Sequence, residues 1–169
     1  MHIRRIQPAD AMALKQLRLQ ALTQEPLAFA MDVTQAAEWS DVQWAQMASR
    51  NSAGVQSIVL AVVADALVGM VGCHCDASPK MARCGMVWGV YVAQTHRKQG
   101  IARQLLQAVI DHGRTQRFTM LKLSVTTTQT SALKSYLIAG FAQYAHEPAL
   151  LSVDGHEIDA FHLYYRYHA

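Results

Sequence analysis

The stretch that decides the fold is Met86–Val109, which reads MVWGVYVAQTHRKQGIARQLLQAV. Its first part, Met86–Val92, is almost wholly apolar and predicts a strand covered on both faces, as in the centre of a sheet. Strict alternation along the strand puts its side chains on two faces. One face carries Met86, Trp88, Val90 and Val92, and the other carries Val87, Gly89 and Tyr91. A glycine inside a strand, here Gly89, predicts a bulge or the close approach of a ligand or another backbone.

A basic loop, His96–Ala102, follows this strand and leads into a helix. The helix is indicated by an apolar stripe of Ala102, Leu105, Leu106, Val109 and Ile110. The first N–H groups of a helix lack partners and its dipole is positive there, so the position favours an anion. Gly100 leaves room for a diphosphate, and Arg97, Lys98 and Arg103 supply positive charge. The alternative is an ordinary solvated turn whose basic residues are simply exposed.

Length and composition favour one globular domain, residues 1–169. The chain is 51% hydrophobic and 16% charged, with a formal net charge of +3. This mild excess suits a small anionic ligand and argues against nucleic-acid binding, which needs a denser basic face. No apolar run reaches 18 residues, and the N-terminus lacks the apolar core of a signal peptide. A cytoplasmic location without membrane contact is therefore expected.

The three cysteines, Cys73, Cys75 and Cys84, do not indicate a disulfide framework, because their number is odd and no leader is recognised. A zinc site is the alternative. However, Cys73 and Cys75 alternate along a predicted strand, and the Cys-x₂₋₄-Cys spacing of structural zinc sites is missing. We therefore expect no metal and interpret the cysteines as small hydrophobic residues.

The other elements follow from periodicity and capping signals. The remaining predicted strands are Ile3–Ile6, Ser57–Ala64, Leu67–Cys75, Thr119–Val125, Phe141–Val153 and Glu157–Tyr167. The other predicted helices are one from an Asp10 N-cap to about Thr23, one from Ser40, and Gln129–Ala139. The βαβ order makes the strands Met86–Val92 and Thr119–Val125 parallel.

Local signals fix several boundaries. Ser40 and Gln43 form a capping-box pattern, and Gly140 occupies the C′ position after the helix Gln129–Ala139. Asp65-Ala66 predicts one hairpin turn and Asp154-Gly155 another. Two helices receive a predicted buried stripe: Leu14, Leu17, Ala21 and Leu22 in the first, and Leu133, Tyr136 and Leu137 in the last.

Two segments resemble signatures of one superfamily. Arg97-Lys98-Gln99-Gly100-Ile101-Ala102 resembles the acetyl-CoA motif Arg/Gln-x-x-Gly-x-Gly/Ala of the GNAT N-acetyltransferases. Gln129–Phe141 is similar to their second signature, Asn-x-x-Ala-x-x-x-Tyr-x-x-x-Gly-Phe, and it matches at Ala132, Tyr136, Gly140 and Phe141. The stretches Leu17–Phe29 and Glu147–Asp159 resemble a bacterial branch of the superfamily that has no assigned substrate.

The resemblance implies a fold of the α/β (α+β) class. In this GNAT fold, a single mixed, mostly antiparallel central sheet of six to seven strands contains a splayed parallel pair. About four helices flank the sheet. The whole of residues 1–169 is expected to form this domain.

The resemblance also implies an acetyl-CoA-dependent N-acetyltransferase that moves an acetyl group to a primary amine of a small molecule or protein by direct attack. Pantetheine would lie beside Val90, Tyr91 and Val92, with an N–H near Val90 available to a developing oxyanion. The pyrophosphate would lie on the loop Arg97, Lys98, Gln99, Gly100, Ile101, Ala102 and Arg103. Tyr136 would protonate the leaving thiolate, because a phenol of pKa near 10 carries its proton at neutral pH.

Two positions depart from the family pattern. Gln129 stands where Asn is usual, although both amides offer the same hydrogen-bonding groups. Met86 stands where many relatives have a Glu that helps to deprotonate the amine. His74, on the neighbouring strand, is the leading replacement base; it is otherwise a strand histidine without a catalytic role. His146 and Glu147 are weaker candidates.

The missing Glu leaves a second function open, a non-catalytic acetyl-CoA sensor with the same fold. The amine acceptor is not named by the sequence. We expect its cleft to be lined by the first helix and loop, around Phe29, and by the closing hairpin, with contributions from His74, Trp88 and Tyr164. The resemblance makes a homodimer plausible, and the apolar last strand offers an edge for it.

Overall fold

The computed structural model describes residues 1–76 and 78–167. The strands in these residues form one seven-stranded sheet. The strands are β1 (His2–Arg5), β2 (Ser57–Val63), β3 (Ala66–Cys75), β4 (Cys84–Val92), β5 (Met120–Thr126), β6 (Ala142–Val153) and β7 (His156–Arg166). The α-helices in the same residues are α1 (Ala11–Gln24), α2 (Val33–Ala37), α3 (Asp41–Asn51), α4 (Ile101–Thr115) and α5 (Thr130–Ile138).

The sheet is mixed, with the strand order β1-β2-β3-β4-β5-β7-β6. The strands β4 and β5 are parallel, and every other neighbouring pair is antiparallel. The parallel pair is joined through α4, as the βαβ order predicts. The fold class, the strand number and the parallel pair are therefore confirmed. The described residues contain five α-helices where about four were expected, because the short α2 lies between the first two predicted helices.

Helices cover both faces of the first four strands. On one face, α4 buries its stripe of Leu105, Leu106 and Val109 against the sheet. On the other face, α1 and α3 pack around Leu17 and Trp44, which are 3% and 1% exposed. The predicted stripes of α1 and α4 are confirmed. In α5, Tyr136 is buried, but Leu137 is 47% exposed because it points away from the sheet; placing Leu137 in the stripe was wrong.

A bulge at Gly89 changes the faces of β4. The register with β3 shifts at this point, and Gly89 has φ +62°, a left-handed conformation that favours glycine. Trp88 and Tyr91 consequently pack on the same side, with α1 and α3, whereas Val92 packs with α4. The bulge prediction is confirmed. The strict alternation that placed Val92 beside Trp88 was wrong, because one extra residue inverts the facing of those that follow.

Capping and turn predictions have mixed outcomes. Ser40 Oγ accepts from the N–H of Gln43, whose side chain bonds back to the N–H of Ser40, so the capping box is confirmed. Asp10 is the N-cap of α1 but its side chain does not cap the helix; it accepts from the N–H of Gln7 and pairs with Arg4. The β2–β3 turn lies at Ala64-Asp65, one residue earlier than expected.

Candidate functional site

The parallel strands separate before either of them ends. Their pairing covers only Cys84–Met86 against Met120–Lys122, although β4 continues to Val92 and β5 to Thr126. The two strands diverge over these last residues, and we call the opening between them the splay. The expected splayed pair is confirmed, and the last paired residue of β4, Met86, lies three residues before Gly89.

The segment that follows α1 connects the ends of the diverging strands. At the β5 end, Thr126 Oγ1 donates to the carbonyl of Leu27 over 2.7 Å. At the β4 end, Arg97 Nη2 donates to Glu25 Oε1 over 2.8 Å, and Arg97 Nε donates to the carbonyl of Val92 over 3.0 Å. The Arg97 guanidinium is therefore engaged by the chain itself and holds the basic loop onto the end of β4.

The start of α4 has the features of an anion site. The first helical hydrogen bond runs from the N–H of Gln104 to the carbonyl of Gly100, 3.1 Å away, so the N–H groups of 101–103 have no partner within the helix. Gly100 has φ +75°, and a Cβ placed there would meet nothing within 4 Å. The side chains of Lys98 and Arg103 are exposed beside it. Unpaired donors, open space and positive charge together fit a diphosphate.

The residues expected beside pantetheine differ in the atoms that they leave accessible to a ligand. Tyr91 is 4% exposed, and its hydroxyl donates to Gln24 Oε1 over 2.6 Å, so its side chain belongs to the α1 side of the core. Val90 is half-buried against the α4 side. The carbonyl of Val92 already accepts from Arg97. For these strand residues, main-chain groups are the polar atoms that remain for a ligand in the splay.

Tyr136 lies on α5, directly after β5. It is 6% exposed and packs edge-to-face on Phe141, with ring centroids 6.1 Å apart. Its hydroxyl makes no hydrogen bond to another residue in the described part of the chain. Burial raises the pKa of this phenol above its ordinary value of 10, so it keeps its proton at neutral pH. Gln129, the N-cap of α5, makes no side-chain cap and is half-buried.

Two adjoining cavities of about 500 and 240 Å³ lie on the α1 and α3 side of β3 and β4. Both are lined by Trp39, Met47, His74 and Trp88. His74 and Trp88, which were expected to contribute to the cleft, line these cavities. Tyr164, which was also expected there, does not line them.

His74 is paired with Met86 in the β3–β4 register. Directly opposite residues in antiparallel strands project to the same face, with Cβ atoms about 5 Å apart. The exposed imidazole of His74 therefore stands beside Met86, and it opens into the cavities.

A second histidine lies on the same face, further along the sheet. His162 Nδ1 is 2.8 Å from Ser124 Oγ, and its Nε2 is 2.5 Å from Glu147 Oε2. Ser124 follows Lys122 by two residues on β5, and Lys122 pairs with Met86, so the group shares the face of Met86. Sequence analysis named Glu147 alone, because only the β5–β7–β6 pairing brings the three together. His146 instead bonds to Asp159.

Arg18 is a residue that sequence analysis missed. Its guanidinium stacks on the Phe29 ring, 4.5 Å from the centroid, and lines the smaller cavity. Its Nη1 is fully enclosed without a hydrogen-bond partner. A signal was present, since Arg18 follows Leu14 by four residues and precedes Leu22 by four, which places a charge on the buried stripe of α1.

Residues 1–76 and 78–167 contain no group of three or more His, Cys, Asp or Glu placed to hold a metal ion. No helix among them is long and apolar enough to cross a membrane. Cys73 is fully buried, whereas Cys75 and Cys84 are half-buried.

Several solved structures that are described as acetyltransferases share this architecture. The acetyltransferase of GNAT family from Streptococcus pneumoniae superposes with a TM-score of 0.90 at 18% identity, over 98% of this chain and 99% of that chain. A GCN5-related N-acetyltransferase from Kribbella flavida gives 0.83 at 21% identity, over 98% and 97%. The structure of yncA from Salmonella typhimurium, which contains its cofactor acetyl-CoA, gives 0.87 at 17% identity, over 100% and 96%. At these identities the likeness concerns the fold.

The sequence itself matches the Acetyltransferase (GNAT) family over residues 19–141. This match spans most of the chain, and the protein belongs to the GNAT acetyltransferase family. Human N-acetyltransferase 8 is 28% identical over 121 residues, which are 71% of this chain and 52% of the human protein. The chain therefore spans about half the length of that curated relative. The resemblance to the superfamily is confirmed.

Proposed function

We propose that this protein, as one domain over residues 1–169, transfers the acetyl group of acetyl-CoA to a primary amine. The observation that carries the proposal is the splay between β4 and β5. One end of it leads to the unpaired N–H groups of α4, and Tyr136 follows from the other strand. The structure of yncA, which has a similar fold, contains acetyl-CoA, and this supports the same co-substrate here.

The residues present fit this co-substrate. The backbone of Lys98–Arg103 would hold the pyrophosphate, since its donors are free and Gly100 leaves the space above it open. The strand end Val90–Val92 would face pantetheine through main-chain groups, and Gln129 would add an amide. When bound, the thioester supplies a carbonyl carbon that a neutral amine attacks, forming a C–N bond as the C–S bond breaks.

Tyr136 would return a proton to the departing sulfur. It keeps its proton at neutral pH because burial raises its pKa. Its hydroxyl makes no hydrogen bond to any residue in the described part of the chain, so it can donate one to a ligand in the splay. General acid catalysis of this kind contributes about 10²–10⁴-fold to a rate.

The amine must lose a proton before it attacks, since an alkyl ammonium has a pKa of about 10.4. Met86 cannot accept that proton. We propose His74, because it stands beside Met86 and opens into the cavities. His162 is the second candidate; its ring is already bonded to Ser124 and Glu147.

The Tyr136→Phe variant tests the proposal. The variant removes no protein hydrogen bond that the structure describes, so we expect it to fold normally. Release of CoA thiol should fall about 10²–10⁴-fold, while acetyl-CoA still raises the melting temperature. Tyr144→Phe, at a tyrosine that is 54% exposed, is the matched control. Unchanged turnover in Tyr136→Phe would remove this residue from the mechanism.

The two histidines are separated by His74→Gln and His162→Gln. We expect His74→Gln to lower turnover, because it removes the proposed base, whereas His162→Gln should leave turnover closer to that of the wild type. The reverse result would assign the base to His162.

The sensor function is the second candidate, and the absence of a carboxylate at Met86 favours it. It predicts that acetyl-CoA raises the melting temperature of the wild-type protein while no amine acceptor accelerates thiol release. Turnover with any amine would exclude it.

A further inference from the structure

Arg18 lies between the β4 bulge and the smaller cavity. It projects from α1, stacks on Phe29 and lines the smaller cavity with Trp88 and His74. Its Nη1 is 3.7 Å from the position that a Cβ of Gly89 would occupy. The guanidinium therefore reaches the backbone of β4 at the bulge, which is where the two parallel strands have separated.

The guanidinium has no counter-charge in the described part of the chain. It makes no ion pair or hydrogen bond there, and its Nη1 is fully enclosed. The nearest carboxylate along the chain, Glu25, is bound to Arg97. Burial lowers the pKa of Arg18 to about 10, so the group is still charged at neutral pH. A buried charge without a partner is unfavourable, and a ligand that brings a negative charge would remove this penalty.

The cavity walls favour an anion for the same reason. Neither cavity is lined by Asp or Glu among the described residues, whereas Arg18, Arg50 and His74 contribute to their walls. A ligand carrying only an ammonium group would meet positive charge without compensation. The rest of the smaller cavity is apolar, with Met31, Trp39, Trp44, Met47 and Trp88 in its wall.

We infer that the acceptor is an apolar α-amino acid, whose carboxylate is bound by Arg18 and whose side chain packs against the tryptophans of the cavity. This inference rests on the proposed function. Arg18 lies against the β4 bulge, so a bound carboxylate would lie close to the splay, and the amine that reacts must be near it on the same molecule. A carboxylate on the carbon that bears the nitrogen satisfies both conditions. Arg18 would thus determine specificity.

Calorimetric titration of the CoA-saturated protein tests the inference with three matched ligands. L-phenylalanine carries the carboxylate, L-phenylalaninamide keeps its shape without the charge, and phenethylamine keeps the ammonium group alone. We expect L-phenylalanine to bind about 10- to 100-fold more tightly than either control, the range for a hydrogen bond to a charged group. Equal or tighter binding of the controls, or no binding of L-phenylalanine, would overturn the inference.

The variant Arg18→Met assigns the preference to the guanidinium. Methionine keeps an unbranched side chain that can still contact the Phe29 ring, and the three ligands should then bind equally. Arg114→Met removes the same charge from the exposed end of α4, where it pairs with Asp111, and should retain the preference. Retention of the preference in Arg18→Met would overturn the inference.

Thermal unfolding gives a readout that does not depend on ligands. Because Arg18 lacks a charged partner in the described chain, Arg18→Met should melt at the wild-type temperature or above it. A large fall in melting temperature would show that the guanidinium is structural and would contradict the inference.

The proposed function can fail separately. If acetyl-CoA does not raise the melting temperature of the wild-type protein, the proposed function fails; if it does and the carboxylate gives no advantage, only the inference about Arg18 fails.

Discussion

Gly72 makes room for the Trp88 ring, and Gly72→Ala should remove that room. The two residues are directly paired between β3 and β4. A Cβ added at Gly72 would lie 2.1 Å from Trp88 Cε2, and its three nearest atoms all belong to the same indole. Carbon atoms in contact are normally about 3.5–4.0 Å apart, so the indole would have to move by more than 1 Å.

The cost follows from the crowded position of Trp88. The ring packs on the α1 and α3 side of the core and forms part of the wall of both cavities. Overpacking of this kind costs about 1–3 kcal/mol. For a chain of this length, 1 kcal/mol lowers the melting temperature by about 2–4 °C, which predicts a fall of about 2–12 °C. The displaced indole should also narrow the cavities and raise the KM of the acceptor.

A double-mutant cycle measures whether Trp88 is the cause. The free energy of unfolding would be obtained by denaturant titration for the wild type, Gly72→Ala, Trp88→Ala and the double variant. We expect Gly72→Ala to cost about 1–3 kcal/mol in the wild type and less than about 0.5 kcal/mol once the indole is gone. An equal cost in both backgrounds would refute the reasoning, because the clash could not then be the source of the loss.

Three smaller predictions concern local stability. Asp10→Asn breaks the two-pronged pair with Arg4 and should cost about 1–3 kcal/mol at pH 7. Arg4 holds the pKa of Asp10 below its ordinary value of 3.8, so this stability is present above that pH and is lost as the pH falls through the folded-state pKa. The difference in denaturant midpoint between wild type and variant should therefore vanish in acid. A difference that stays constant with pH would contradict the assignment. Ser40→Ala removes half of a capping box and should cost about 1 kcal/mol, whereas Ser52→Ala, without such a cap, should cost less. Gly140→Ala forces a side chain into φ +95° and to 3.3 Å from the Tyr165 ring, so it should cost about 1–2 kcal/mol in the same titration; a neutral result would mean that the end of α5 relaxes freely.

The sequence by itself determined most elements and the family. The capping box at Ser40, the glycine after α5 and the apolar stripe of α4 are formed by residues within a few positions of one another. Hydrogen bonding and side-chain periodicity over such distances depend on local backbone geometry, so they can be inferred from the chain alone. The acetyl-CoA motif is local for the same reason, because it combines a tight turn with the first turn of one helix.

The tertiary structure decided which side chains meet. The bulge at Gly89 brings Trp88 and Tyr91 to one face, against the strict alternation expected from sequence. Arg97 bonds to Glu25, 72 positions away, so its guanidinium positions the loop before any ligand binds. Arg18 lies against the β4 bulge without a counter-charge in the described chain. These outcomes depend on the register of distant strands and on which charges the packing leaves unpaired, and local periodicity contains no information about either.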